Sequence, residues 1–396
     1  PYPPNKGDKI SSYNLLRYFS SRYRVFLGTF VDDPADRQYL DTVQGYCADT
    51  CAVDLNPATA KLASLRGLLS GEALTLAYYR NPELQAWVNR VCADDPPDAV
   101  LIYSGAMGQY VPEDLAPQVT TLFEMEDVDS DKWRSYAQTK PWPLNWIYAR
   151  ESRRLLQYER AMAARFDVSV FISPDEAALF RQLAPEVADK VAYRTQGVDS
   201  EYHDPALQLP DPYPPDARVL VFCGAMDYWP NADAVTWYAN EVLPAVREHA
   251  PDVLFAIVGM NPTDEVLRLG QREGVLVTGA VPDVRPYVRH AYAAVLPLRI
   301  ARGIQNKALE AMALERPVVA TPDALTGIIA CPEFKPWVGE NAAELIAATR
   351  GALDAGVGHD PGGRVCVLRH YNWDANLQRI EQMLESGKVV DGEAVA

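Results

Sequence analysis

Residues 293–321 read AAVLPLRIARGIQNKALEAMALERPVVAT, and this stretch decides the fold class. Its two short apolar ends have the length and composition of buried strands. Between them Ile304, Ala308 and Met312 recur every four residues, which predicts a helix with one apolar stripe. A strand, a helix and a second strand in this order form a right-handed βαβ unit with two parallel strands.

The same alternation of short apolar runs and helical periodicity extends along the whole chain. Runs that are apolar on both faces predict parallel strands covered by helices, and therefore a doubly wound α/β sheet. The predicted strands are Val25–Phe30, Cys51–Leu55, Ala99–Tyr103, Val119–Phe123, Val168–Ile172, Val219–Cys223, Phe255–Val258, Val275–Thr278, Val295–Pro297 and Val318–Ala320.

Length and loop composition predict two domains. The chain has 396 residues, and periodicity disappears in the Pro- and Asp-rich run from Gln196 to Ala217. We expect an acceptor-side domain at residues 1–200, a linker at 201–217, a nucleotide-sugar-binding domain at 218–370 and a C-terminal helix and tail at 371–396. The sequence leaves open whether that helix packs on the second domain or crosses back to the first.

Composition excludes several classes of protein. A net charge of −16 repels phosphate backbones and excludes general nucleic-acid binding. No run approaches the roughly 18 apolar residues that a membrane span needs. Because P-loop, serine-hydrolase and paired-histidine motifs are missing, we expect neither a metal ion nor a cofactor.

The cysteines indicate a cytoplasmic protein. All six are scattered along a long chain, which is typical of reduced and mostly buried thiols. Cys47 and Cys51 are four residues apart, but no second pair of ligands lies near them in the sequence, which disfavours a zinc site there.

The basic loop and helix of the βαβ unit carry a candidate anion site. A helix N-terminus joined by Arg299, Arg302 and Lys307 suits a diphosphate, and Gly303 permits the sharp turn into the helix. Glu310 lies about 4.5 Å further along the axis than Lys307 and can accept two hydrogen bonds from a ribose diol. Alternatively, Lys307 and Glu310 form an ordinary i, i+3 surface pair.

Several segments resemble one enzyme family. GIQNKALEAMALERPVVA (303–320) resembles the signature helix of the retaining glycosyltransferases of family 4. Further segments resemble other parts of these enzymes, namely PYPPNKGDKISSYNLL (1–16), LFEMEDVDSDKW (122–133), FCGAMDYWPNADAV (222–235) and VTGAVPDVRPYV (277–288). The nearest group is the glycosyltransferases associated with exosortase (PEP-CTERM) exopolysaccharide loci. The resemblance implies an α/β protein of GT-B fold, with two facing Rossmann-like domains, parallel sheets and an interdomain cleft.

The resemblance also implies site residues around a nucleotide-sugar donor. In this family a Glu-x7-Glu pair is usual, in which the second Glu contacts the ribose and the first contacts the sugar. Glu310 matches the second position, but Arg302 occupies the first, so the donor sugar is not predicted. The expected donor loops contain Gly224, Asp227 and Asn231 after one strand, and Asp283 and Arg285 after another.

The N-terminal segment of the resemblance contains Gly7. It implies a glycine loop that reaches the donor diphosphate or the acceptor; the alternative is an ordinary capped turn. It also implies a strand just before Pro1, so the chain is expected to be cut after its first strand.

Five carboxylates follow the predicted strand Val119–Phe123, within the segment FEMEDVDSDKW. A carboxylate at a strand end can act as a base on an acceptor hydroxyl or stabilise positive charge at the anomeric carbon. We expect Asp127 or Asp129 to take this role, and the alternative is that these residues cap a helix beginning near Asp131. The family implies retention of anomeric configuration, whereas a base here would suit inversion.

A basic segment interrupts the acidic composition. Residues 132–165 contain eight basic and two acidic residues, together with Trp133, Trp142 and Trp146. Tryptophan beside lysine and arginine suits the headgroup zone of an anionic membrane, which predicts reversible docking at the inner face of the cytoplasmic membrane. The alternative is an exposed basic helix with a core-facing aromatic edge.

These features predict a glycosyltransferase of the hexosyltransferase type, which moves a sugar from a nucleotide-diphosphate donor to a glycan or lipid-linked acceptor in exopolysaccharide biosynthesis. Two alternatives remain at this point: a nucleotide-sugar epimerase of the same two-domain fold, which needs no acceptor, and a non-enzymatic two-lobed protein that binds a small molecule.

Overall fold

The computed structural model describes residues 1–4, 7–215, 217–301, 303–356 and 358–390. The chain divides into two compact units. Unit 1 comprises residues 1–195 together with the C-terminal helix from Asp374, and unit 2 comprises residues 196–373. The C-terminal helix therefore returns to the first unit, a question that the sequence left open.

The strands are short and pair in parallel throughout the described ranges. They are β1 Phe26–Val31, β2 Asp49–Asp54, β3 Ala99–Tyr103, β4 Thr120–Glu126, β5 Val168–Phe171, β6 Val191–Tyr193, β7 Arg218–Cys223, β8 Val253–Val258, β9 Val275–Gly279, β10 Ala293–Leu296, β11 Val318–Ala320 and β12 Trp337–Val338. The ten predicted strands are confirmed, with ends that shift by a few residues. Strands β6 and β12 were not predicted, because three and two residues are too few to show a period. Strand β11 is as short as β6, but it was predicted as the second strand of the βαβ unit.

The α-helices alternate with these strands. They are α1 Gly7–Ser20, α2 Leu40–Gln44, α3 Pro57–Ser64, α4 Arg66–Ser70, α5 Leu74–Tyr78, α6 Pro82–Asp94, α7 Asp129–Thr139, α8 Leu144–Arg165, α9 Pro174–Leu183, α10 Trp229–Trp237, α11 Leu243–His249, α12 Asp264–Leu269, α13 Arg285–Arg289, α14 Asn306–Ala313, α15 Ala342–Asp354, α16 Pro361–His370 and α17 Trp373–Ser386. A π-helical turn, Tyr238–Val242, joins α10 to α11.

The sheets have the order expected of an α/β fold. In unit 1, β1 pairs with β2, and a second sheet has the order β3-β4-β5-β6. Unit 2 has one six-stranded sheet of order β12-β11-β10-β7-β8-β9. The chain enters this sheet at β7 in the middle, continues outward to β9, and then returns to β10 on the other side of β7. The predicted α/β class with parallel sheets is thus confirmed.

The core of unit 2 lies on both faces of its central strands. Leu220 and Phe222 of β7 and Phe255 and Ile257 of β8 are fully buried. These four side chains point to one face of the sheet, whereas Val221, between the first two, points to the other face and is buried as well. Both faces must therefore be covered by helices. This explains why residues 219–223 and 253–258 are all apolar and why these strands could be predicted from sequence.

The core of unit 1 contains a buried ion pair. Arg194, which follows β6, donates from Nε to Oε1 of Glu124 in β4 over 2.8 Å, and both side chains have no exposed surface. Arg194 also donates from Nη2 to the hydroxyl of Ser11 in α1. The pair thus ties α1 to two strands of the second sheet.

We expect Arg194→Met to lower the free energy of unfolding by about 3–5 kcal/mol, because it leaves the Glu124 carboxylate buried without its counter-charge. Urea denaturation measures the change. The matched control is Arg160→Met, which breaks an ion pair with Glu186 whose side chains are 45% and 43% exposed; it should leave the urea midpoint nearly unchanged. Equal losses of unfolding free energy in the two variants would contradict the assignment of Arg194 and Glu124 as a buried ion pair that stabilises unit 1.

Candidate active site

In the sheet of unit 2 the strand order reverses between β7 and β10. These two strands lie side by side, although β8 and β9 come between them in the chain. The loops that follow these two strands leave the same edge of the sheet for different neighbours. Ligands of open α/β sheets bind at such a switch point, outside the carboxyl ends of the strands. The loop after β7 leads to α10, and the loop after β10 leads to α14.

Glycines end three neighbouring strands at this edge. Gly224 follows β7, Gly259 follows β8 and Gly279 ends β9. The Gly224 N–H donates to the Val258 carbonyl over 3.0 Å, and the Gly259 N–H donates to the Gly279 carbonyl over 3.2 Å. A Cβ on Gly259 would lie only 1.7 Å from the Gly224 oxygen, and its φ of +151° also excludes side chains. The sequence prediction included Gly224 alone.

Lys307 and Asn231 meet above Gly224. The Lys307 ammonium donates to Oδ1 of Asn231 over 2.6 Å, and Nδ2 of Asn231 donates to the Ala225 carbonyl over 2.9 Å. A Cβ on Gly224 would lie 2.8 Å from Nδ2 of Asn231 and 3.3 Å from Nζ of Lys307. Three residues that the sequence analysis selected from two distant loops are therefore in contact, and Lys307 is directed at Asn231.

The charge of Lys307 is poorly solvated. Its ammonium lies 4.5 Å from the centroid of the Phe222 ring, and burial lowers the pKa of Lys307 to about 8 against the opposing effects of Cys223 and Glu310. Burial raises the pKa of the Cys223 thiol to about 12, with a further contribution from Glu310. An anion bound beside Lys307 would stabilise its charged form.

Helix α14 begins at Asn306, later than the sequence predicts. Gly303 has a left-handed φ of 65° and Gln305 is extended, so Gly303 and Ile304 precede the helix. Ile304 is therefore not the first member of a helical stripe, although Ala308 and Met312 are fully buried as expected. Lys307 is the second residue of the helix, and Glu310 follows one turn later with its side chain partly exposed.

Other predicted donor-site residues have partners of their own. Arg299 forms a bidentate ion pair with Asp233 of α10, with distances of 3.1 and 2.5 Å. Together with Asp227 it lines a groove of about 580 Å³ that borders α10 and α12 and includes neither Lys307 nor Glu310. Asp227 accepts a hydrogen bond from Asn261 over 3.0 Å. Arg302 lies outside the described residues.

The segment after β9 contains an ion pair between two neighbouring residues. Arg285 donates from Nη2 to Asp283 over 2.7 Å, and its guanidinium carbon lies 3.6 Å from the centroid of the Tyr202 ring. The hydrogen bonds from Arg285 lower the pKa of the Asp283 carboxyl. The structure therefore joins these two predicted residues to each other and to Tyr202.

In unit 1, Asp127 and Asp129 follow β4 as predicted. The helix that begins here, α7, is capped by residues of other elements: the Val128 N–H donates to Glu176 over 2.7 Å, and the Ser130 N–H donates to Glu159 over 3.0 Å. Asp129 remains partly exposed, and burial raises the pKa of its carboxyl against the opposing charge of Lys132. The helix begins at Asp129, two residues earlier than the alternative of a helix near Asp131, and Asp129 and Asp131 lie in its first turn.

A second acidic group lies beside these aspartates. Glu126, at the end of β4, has a left-handed φ of 63° and accepts a hydrogen bond from the Tyr103 hydroxyl at the end of β3. Burial raises the pKa of Glu126 to about 7, although the Tyr103 hydrogen bond opposes the shift. The register of β4 against β5 shifts between Glu124 and Glu126, so Met125 is the extra residue and Glu126 pairs with Phe171. The sequence could not single out Glu126 among five neighbouring carboxylates.

The basic segment 132–165 spans α7 and α8. Within it Trp133 packs against Tyr148, with ring centroids 5.1 Å apart, whereas Trp142 and Trp146 are 80% and 55% exposed. Arg150 is buried and donates to the carbonyls of residues 67 and 72. The aromatic residues therefore divide into a packed group and an exposed group. In the described part of the chain, no helix is long and apolar enough to cross a membrane.

Residues 217–354 match the family described as Glycosyl transferases group 1. The match covers the sheet of unit 2 from β7 to α15 and includes Asn231, Lys307 and Glu310. No curated protein sequence matches the chain significantly.

Solved structures are similar over nearly the whole chain. Anabaena HepE in complex with UDP is 14% identical, with a TM-score of 0.67 and 98% of each chain covered. The sucrose-phosphate synthase of Thermosynechococcus elongatus is 17% identical, with a TM-score of 0.68 and coverage of 96% of this chain and 93% of the synthase. A UDP-forming α,α-trehalose-phosphate synthase from Burkholderia xenovorans is 11% identical, with a TM-score of 0.60 and coverage of 92% and 99%. These likenesses confirm the GT-B fold class.

Proposed function

We propose that this protein is a glycosyltransferase that transfers a sugar from a nucleotide-diphosphate donor to a glycan or lipid-linked acceptor in exopolysaccharide biosynthesis. The observation that carries the proposal is the contact of Lys307 with Asn231 over Gly224, at the switch point of the sheet. The family match over residues 217–354 supports it, as do the similar structures of Anabaena HepE in complex with UDP and with UDP-glucose.

In this proposal the donor diphosphate lies against the N-terminus of α14. Lys307 is charged and partly desolvated there, and its present partner is the neutral amide of Asn231. Helix N–H groups add positive potential at the same end. As the bond to the sugar breaks, charge develops on the diphosphate, and these groups stabilise it without having to reorganise. Glu310, one turn further along, would accept the ribose hydroxyls.

The remaining donor contacts follow from the same placement. Gly224 leaves room for Asn231 and Lys307 beside the proposed diphosphate, and Asp283 and Arg285 hold the loop that would face the base. Arg299, Arg302, Gly303 and Asp227 stay proposed contacts of the donor, as does Gly7 from unit 1. For Arg299 to bind phosphate, it would have to exchange its ion pair with Asp233 for the ligand.

We expect Lys307→Met to weaken UDP-glucose binding by about tenfold or more, the value of one charge-assisted hydrogen bond. Because the pKa of Lys307 is about 8, the affinity of the unmodified protein should fall by about tenfold between pH 7 and 9 as the ammonium loses its proton. Titration calorimetry measures both effects.

Two further variants sharpen this measurement. Lys307→Arg should retain binding and remove the pH dependence, because a guanidinium stays charged over this range. Lys335→Met, which removes an exposed lysine of the same unit, should change neither. Unaltered affinity in Lys307→Met and in Glu310→Ala would refute the donor site.

We further propose that unit 1 binds the acceptor and that Asp127 or Asp129 acts on it. Both follow the carboxyl end of β4, where the Val128 and Ser130 N–H groups donate to Glu176 and Glu159. One of them would accept the proton of the acceptor hydroxyl or stabilise positive charge at the anomeric carbon.

Asp127→Asn or Asp129→Asn should lower kcat by about 100-fold or more, the usual contribution of a general base, and leave donor affinity unchanged. The assay measures UDP release in the presence of acceptor. Glu126→Gln is measured in the same way as a third variant. The product anomer, determined by NMR, then distinguishes retention from inversion. Turnover of donor without any acceptor would instead indicate an epimerase.

The exposed tip of α7 and α8 is the proposed membrane contact. Trp142, Leu144 and Trp146 are 80, 43 and 55% exposed, and Lys140 is exposed beside them. Tryptophan and lysine together bind the interface of an anionic bilayer. A surface of this kind would bring the enzyme to a lipid-linked acceptor.

The double variant Trp142→Ser, Trp146→Ser should lose most of its flotation with vesicles containing anionic lipid, because it removes the apolar groups that enter the interface. Trp229→Ser, which changes a tryptophan of unit 2 that is 57% exposed, is the matched control and should float like the unmodified protein. Absence of flotation of the unmodified protein at low salt would disprove the contact.

A further inference from the structure

Three metal-binding side chains meet in unit 2, and none of them belongs to the proposed donor site. The sulfurs of Cys331 and Cys366 and a ring nitrogen of His370 lie within 4.8 Å of one another. Cys366 and His370 are four residues apart on α16, so they project from the same face of that helix. Cys331 comes from the loop between β11 and β12, 35 residues earlier in the chain.

The loop is held against the helix by its own contacts. The Ile329 N–H donates to the hydroxyl of the buried Tyr371 over 2.7 Å, which fixes the loop two residues before Cys331. The Phe334 N–H closes a turn onto the Cys331 carbonyl over 3.1 Å. The two sulfurs therefore face each other because of backbone anchors on both sides, as a preorganised site requires.

A fourth potential ligand lies beside Cys331. Oε2 of Glu333 is 3.1 Å from the Cys331 sulfur. Arg369 donates to both oxygens of this carboxylate, over 2.8 and 3.2 Å, and thereby orients it toward the sulfur. A carboxylate positioned in this way by a second residue is a common arrangement around bound metal ions.

We propose that Cys331, Cys366 and His370 bind a zinc ion, with Glu333 as the fourth ligand. Two thiolates, one imidazole and one carboxylate form a tetrahedral donor set that zinc accepts and that harder ions such as Mg²⁺ do not favour. The charges also balance: zinc and the Arg369 guanidinium together offset two thiolates and one carboxylate. Both cysteines are buried, whereas His370 is partly exposed and provides the route of entry.

Binding would exchange the two thiol protons for the ion. In the described structure all six cysteines are free thiols. Zinc–thiolate bonds then form as two protons leave to solvent.

The site would fasten α16 to the loop after β11. Helix α16 packs closely on α14, since a Cβ on Gly363 would lie 3.1 Å from the Met312 backbone. Cys366 and His370 follow Gly363 by three and seven residues and so lie on about the same side of α16. A zinc ion there would therefore support the packing of α16 on the helix that carries Lys307 and Glu310. The proposal concerns metal binding and stability and does not depend on the proposed transferase activity.

The test uses the whole chain without an affinity tag, incubated with zinc in reducing buffer and then desalted. Mass spectrometry of the metal should give about one zinc per chain. Cobalt in place of zinc should give the visible absorption of a tetrahedral cobalt–thiolate site. His370→Ala removes the partly exposed ligand and should reduce bound metal to about a fifth or less while retaining the circular dichroism of the folded protein.

Two variants complete the design. Cys366→Ser should also lose the metal, and Cys51→Ser, which removes a buried thiol of unit 1, should keep it. Removal of zinc by a chelator should lower the melting temperature of the unmodified protein but leave that of His370→Ala unchanged. Less than about 0.2 zinc per chain in the unmodified protein, undiminished zinc in His370→Ala, or a Cys331–Cys366 disulfide formed in preference to zinc binding would each overturn the proposal.

Discussion

Parallel pairing of the strands in unit 2 is the constraint on which the rest of the site depends. Parallel neighbours need a crossover between them, so the carboxyl ends of all these strands lie at one edge of the sheet. At that edge the backbones of β7 and β8 approach so closely that Gly259 has no room for a Cβ beside the Gly224 oxygen. The reversal of strand order between β7 and β10 then brings the starts of α10 and α14 together, and Lys307 of α14 reaches Asn231 of α10.

Each unit contains a poorly solvated cation, and the two cations differ in their hydrogen-bond partners. In unit 1 the Arg194 guanidinium hydrogen-bonds to the carboxylate of Glu124 and to the hydroxyl of Ser11, and its charge therefore stabilises the core. In unit 2 the Lys307 ammonium hydrogen-bonds to a neutral amide and lies over the Phe222 ring, and burial lowers its pKa to about 8. A charge that is only partly compensated by the protein is suited to a ligand that supplies the opposite charge.

Much of the fold could be predicted because its strands carry a local signal. Strands such as β7 and β8 are apolar on both faces, and this composition is visible without knowledge of any neighbour. Strand β6 has three residues and shows no period, although Arg194 directly after it anchors unit 1. The start of α14 was placed too early, since the predicted stripe includes Ile304 whereas the left-handed Gly303 and extended Gln305 keep the chain out of the helix.

The sequence by itself determined the α/β class, the parallel strands and the residues of two loops that could meet a donor, because short-range periodicity and glycine placement report on local backbone. Only the tertiary structure decided which side chains meet. In the structure Lys307 contacts Asn231 and Arg299 pairs with Asp233. The last helix belongs to unit 1, and Cys331, Cys366 and His370 lie close together. Most of these partners are tens of residues apart in the chain. Their approach depends on the packing of whole helices against a sheet, and no single window of sequence contains a signal for that packing.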